Sequence, residues 1–93
     1  MQTGPTSEAA LLGVAGYATE AGFKVTSVRA GSPAEQIFLK PGDVIVKIDG
    51  REVHSSHDIE VAIAASASGT VKLSFLNQTA LGTAQSEREV KVR

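Results

Sequence analysis

Gly31-Ser32-Pro33-Ala34-Glu35 and, after a few residues, Leu39-Lys40-Pro41-Gly42-Asp43-Val44-Ile45-Val46-Lys47-Ile48-Asp49-Gly50 decide the fold. Ser32 suits a helix N-cap, Pro33 the first helical position and Glu35 the acid of a capping box. A short helix is expected from Pro33 to about Phe38. It stops there because Pro41 steers Lys40 away from helical angles, and Pro41-Gly42 then makes a turn. Val44 to Ile48 is β-branched and apolar on nearly both faces, which marks a central strand. Asp49-Gly50 is a favoured two-residue hairpin turn, and Arg51-Glu52-Val53 returns briefly along the partner.

Upstream, residues from about 9 to 18 read as a strand broken by Gly13, with Leu11, Leu12 and Val14 around the break. Glu20-Ala21-Gly22 is a turn. Phe23 to Val28 alternates as a further strand and forms a hairpin with the one before it. Downstream, Ser55 with Asp58 three residues on is a capping box that opens a second helix. That helix runs to Ser66 or Ala67, with Gly69 as its C′ residue. Val71 to Leu76 alternates as a strand, Asn77 to Ala84 reads as a polar loop, and Glu89 to Arg93 as a last strand. The order β-β-α-β-β-α-β-β implies an α+β fold. We expect a partly closed, mainly antiparallel sheet of five to six strands, capped by one short and one longer helix. Residues 1–8 read as a flexible lead-in and 9–93 as one domain.

The 93 residues amount to a single domain, able to bury roughly two thirds of its unfolded surface. Net charge is −1, with one Tyr and no Trp, so neither a basic stripe nor a stacking platform for nucleic acid is present. No apolar run approaches the ~20 residues of a membrane span, so no direct membrane insertion is expected. The absence of Cys excludes disulfides, thiolate metal sites and cysteine nucleophiles.

The central stretch, in this order and spacing, resembles the PDZ domain, and its Ser-Pro-Ala and Lys-Pro-Gly-Asp-Val-Ile wording resembles bacterial PDZ domains of HtrA/Deg-type serine proteases. Gln36-Ile37-Phe38 departs from the small residues such relatives often carry. The resemblance implies a module that captures C-terminal tails or extended, unfolded segments of other proteins. The tail would enter by strand addition between the second strand and the second helix. The parent would be a bacterial protease of the periplasm or cell envelope, with its catalytic residues elsewhere. Leu12-Gly13-Val14 falls at the carboxylate-binding loop, where backbone amides converge on a terminal carboxylate in a nest. Leu11, Ala15, Gly16, Tyr17, Ile59, Ala62 and Ile63 complete the candidate groove. Within it Ile59 and Ile63 share one helical face and Ala62 turns toward the core. The rival face carries His57 and Val61. Glycine at position 16 leaves a gap in the groove floor, so a bulky terminal residue is expected to fit.

No cofactor and no metal are expected. His54, His57 and Asp58 hint at a metal site or triad, but zinc wants three or four closed-spaced ligands. Ser55 is explained as a cap, and Asp43 and Asp49 by turn chemistry. Two other functions stay open: an assembly module of the same fold with a blocked groove, and a small hydrolase or metal binder using the histidines.

Overall fold

The computed structural model describes residues 7–66, 68–79 and 81–92. The chain order is β1 (Ser7–Ala9), β2 (Val14–Ala18), β3 (Phe23–Val28), α1 (Pro33–Gln36), β4 (Val44–Ile48), β5 (Arg51–Glu52), α2 (Ser56–Ala64), β6 (Thr70–Thr79) and β7 (Gly82–Lys91). All pairings are antiparallel. The sheet runs β1-β2-β3-β4-β6-β7, with β5 paired to β4. The fold is therefore α+β, an open antiparallel sheet with two short helices.

Local chemistry explains the elements. Ser32 Oγ accepts the Glu35 amide at 3.3 Å, and Glu35 reaches back to accept the Gly31 amide at 2.7 Å. At α2 both capping-box bonds are present: Ser55 Oγ accepts from the Asp58 amide, and Asp58 Oδ2 accepts from the Ser55 amide. Asp49 and Gly50 have φ of 51° and 81°, the signature of a type I′ turn, whose twist suits a hairpin. Asp49 Oδ1 also accepts the Lys72 amide at 2.8 Å, and Asp43 Oδ2 accepts the Lys40 amide at 3.0 Å. Both carboxylates thus serve backbone donors.

The core lies between the sheet and α2. Phe23, Ile45, Ile48, Ile59, Ile63, Leu73, Val25 and Val71 are all fully buried, joined by Leu12, Val14 and Val90. Each such side chain stabilises the fold by about 1.5–3 kcal/mol relative to exposure.

Several expectations need correction. Ser7 and Glu8, assigned to the flexible lead-in, belong to β1 and pair with β2; residues 1–6 of that lead-in lie outside the described residues. Helix α1 ends at Gln36, short of Phe38. Helix α2 ends at Ala64 with Ala65 as its C-cap, so Gly69 stands beyond C′ and takes φ 79° in the following turn. The expected helix end at Ala67 lies outside the described residues. Of the stretch expected as a loop, residues 77–79 and 82–84 are paired strand, since β6 and β7 pair from Thr70↔Lys91 to Thr79↔Gly82; Ala80 lies outside the described residues. Backbone ladder bonds carry this hairpin past the point where buried side chains stop. Arg93, expected at the end of the last strand, is also outside the described residues.

Candidate functional site

The site is built where β2 leaves the turn of residues 10–13. Gly13 has φ +88°, a left-handed angle that costs L-residues roughly 1–2 kcal/mol. A Cβ there would also collide with the Ser32 side chain. Held this way, the Gly13 amide donates to the Ala9 carbonyl oxygen at 2.8 Å, and the Leu12 amide donates to the same oxygen at 3.1 Å. Two backbone N–H groups therefore converge on one acceptor. The loop is pinned from behind: the Ala34 amide donates to the Leu12 carbonyl at 3.0 Å, and the Arg29 amide to the Gly13 carbonyl at 2.8 Å. The N-terminal end of α1 and the end of β3 thus set the loop's shape. Leu12 and Val14 send their side chains into the core.

The acceptor Ala9 ends β1. This strand lies antiparallel on β2 in the register Ser7↔Gly16, Glu8↔Ala15, Ala9↔Val14, and it packs against α2. The Ala9 methyl is fully buried. Opposite the sheet, Glu8 Oε2 accepts from the Arg29 guanidinium at 3.0 Å, both side chains being more than half exposed.

The α2 wall follows from the helical period of 3.6 residues. Ile59 and Ile63 sit one above the other and are fully buried. The half-buried Ser56 and Glu60 lie beside them on one flank. On the opposite flank Asp58, Val61 and Ala62, with Arg51, Glu52, Val53 and His57, line a cavity of about 210 Å³ beside β5. Ala62, named for the groove, is thus placed on the β5 side. His57 and Val61, the rival face, are exposed there too. Leu11 sits in the turn and is half exposed. Ala15 and Tyr17, half buried, point away from Val14 and Gly16 by strand alternation.

Gly16 overturns the expectation attached to it. The β2–β3 register shifts between Ala15 and Gly16. A Cβ at Gly16 would run into the Lys24 carbonyl, with Phe23 Cε2 also only 3.0 Å away. Glycine is there because a neighbouring backbone passes close by, not because the groove floor has a vacancy.

Ser7, Glu8, Ala9 and Arg29 were not among the candidates. A three-residue strand is too short to show a period, and in the turn after it only Gly13 is a usual turn residue, Ala10, Leu11 and Leu12 being apolar. His54 and Asp58 meet through structure alone: Asp58 Oδ2 accepts the His54 amide at 3.1 Å.

The sequence matches the PDZ domain family across residues 10–92. This chain belongs to the PDZ domain family. A PDZ domain is a protein-interaction module and not a catalytic one. The proteins it resembles include bacterial proteases. A candidate zinc metalloprotease of Clostridium perfringens is 37% identical over 67 residues, covering 69% of this chain and 20% of that protein. The serine protease Do-like HtrB of Bacillus subtilis is 48% identical over 48 residues, 52% of this chain and 10% of its own length. The magnetosome formation protease MamE of Magnetospirillum gryphiswaldense is 40% identical over 48 residues, 52% of this chain and 6% of its own length. The PDZ chain thus spans a fifth or less of these three relatives.

Proposed function

We propose that this PDZ domain captures C-terminal tails or extended segments of other proteins by strand addition along β2, beside α2. It would act as the substrate-recognition part of a bacterial protease of the cell envelope. The supporting observation is the convergence of the Leu12 and Gly13 amides on one oxygen, at the end of a strand laid antiparallel on β2. A peptide backbone ending at that point presents a carboxylate where the Ala9 carbonyl now sits. Its side chains would alternate between the Val14 side of β2, walled by Ile59 and Ile63, and solvent. Hydrogen bonds to a charged acceptor contribute about 1.5–3 kcal/mol. Ligand direction is fixed by the amides and affinity by the strand edge, a division of labour that needs no special side chain.

A C-terminal peptide-library screen tests this directly. Enrichment of apolar terminal residues, lost when the selected peptide is amidated, is the expected result. Equal binding of the acid and the amide contradicts a nest for the carboxylate.

One observation favours a second reading. β1 fills the edge of β2, and a filled groove is what an assembly module without a free-tail site would show. In that case no peptide would bind even after β1 is displaced, and the domain would dock partners through another face.

A further inference from the structure

The chain's own residues 7–9 stand where an added strand would stand. β1 runs antiparallel to β2 with its C-terminal end at the loop, its last carbonyl receives both loop amides, and its last side chain is fully buried beside Val14. We propose that β1 is an internal stand-in for the ligand: it closes the groove of the free chain, and a tail binds by displacing it. This rests on the tail-capture reading above.

β1 is well suited to be displaced. It is three residues long, and Ser7 and Glu8 are exposed. Its ion pair to Arg29 is more than half exposed on both sides, and such pairs contribute little. Beyond the three-residue backbone pairing with β2, the buried anchor is Ala9 alone, with one methyl and two accepted hydrogen bonds. A ligand with a carboxylate in place of the Ala9 carbonyl offers the same amides a charged acceptor. The residues of β1 also describe the tail that replaces it: a small apolar last residue, preceded by an acid within reach of Arg29. The apparent affinity for a tail is the intrinsic one reduced by the fraction of molecules in which β1 has left.

The test uses three forms of the chain and one probe, a labelled peptide ending in Thr-Ser-Glu-Ala with a free carboxylate, copying residues 6–9. In Glu8→Cys/Ala15→Cys the two sulfurs face each other across the β1–β2 pair, within disulfide range of directly opposed residues, and no native Cys competes. Glu8→Pro releases β1, since proline removes an amide from a strand without touching the core. Protection of the Leu12 and Gly13 amides from hydrogen exchange in the wild type, lost in Glu8→Pro, is expected before any peptide is added. The oxidised pair should bind the probe about tenfold or more weaker than the same protein reduced, and Glu8→Pro several-fold tighter than wild type. Unprotected loop amides in the wild type, or equal affinity of wild type and Glu8→Pro with the oxidised form inert, would overturn closure by β1 while leaving tail capture standing. Undiminished binding by the oxidised form places the ligand elsewhere and overturns both. No binding by any form, Glu8→Pro included, overturns tail capture and with it the stand-in role.

Discussion

Replacing Gly16 by alanine sets a methyl group against the Lys24 carbonyl, which belongs to the backbone of β3 and has no rotamer by which to yield. The carbonyl carbon would lie 2.8 Å and Phe23 Cε2 3.0 Å from the new Cβ, so either β2 and β3 part or the bulge at Ala15/Gly16 reforms. Overpacking of this kind costs about 1–3 kcal/mol. Two other glycines separate the causes. Gly31 has φ +76° and open space around its Cβ direction, so Gly31→Ala meets only the left-handed penalty. That is about 1–2 kcal/mol, partly offset by a less flexible unfolded chain. Gly13 combines φ +88° with the Ser32 side chain in the way, so Gly13→Ala adds the two costs and should lose roughly 2–5 kcal/mol. Urea unfolding of the three variants reads the order directly: Gly13→Ala weakest, Gly16→Ala next, Gly31→Ala nearest wild type. For a domain of this size each kcal/mol moves Tm by about 4–8 °C. If Gly16→Ala is no less stable than Gly31→Ala, the close passage of β3 is wrong, and Gly16 returns to being a gap in the groove floor.

Ser55→Ala removes the hydroxyl that accepts the Asp58 amide and should lose about 1 kcal/mol of stability by urea unfolding; no loss means the box does not hold α2. Ile63→Ala opens the buried wall of α2 and should cost about 2–5 kcal/mol, whereas Val61→Ala, on the exposed flank by β5, should stay within about 0.5 kcal/mol. Comparable losses at both positions would mean that the helix faces have been assigned to the wrong sides. Arg29→Ala should change stability by no more than about 1 kcal/mol, because its pair with Glu8 is exposed. A larger loss in the same unfolding assay would show that β1 is anchored far more firmly than its contacts indicate.

The middle of the chain was legible because its instructions are local. Ser32-Pro33 and Ser55 with Asp58 write helix starts, Asp49-Gly50 writes a turn, and Val44 to Ile48 writes a strand, each through the backbone angles and hydrogen bonds of a few adjacent residues. The carboxylate loop at Leu12-Gly13-Val14 was legible only through its company. What escaped was decided at a distance. β1 exists because Ala9 finds Val14 and two loop amides, a partnership no three-residue pattern announces. The bulge at Gly16 depends on where Lys24 passes. The far half of the β6–β7 hairpin has residues 81–85 exposed, so no apolar alternation marks it, and its polar sequence resembles a loop. Ala62 and Ile63 are neighbours in a helix apolar nearly all round, where composition alone does not say which flank meets β5.

The most direct test of tail capture is a residue-by-residue NMR titration of the Glu8→Pro chain with a free-acid peptide chosen from a C-terminal library. The largest amide shifts should fall on Leu12, Gly13 and the β2 residues Val14 to Tyr17, with smaller ones at Ile59 and Ile63, and amidating the peptide should remove the shifts at Leu12 and Gly13. Shifts confined to the cavity of Arg51, His57 and Val61, with the loop amides unmoved, would contradict it.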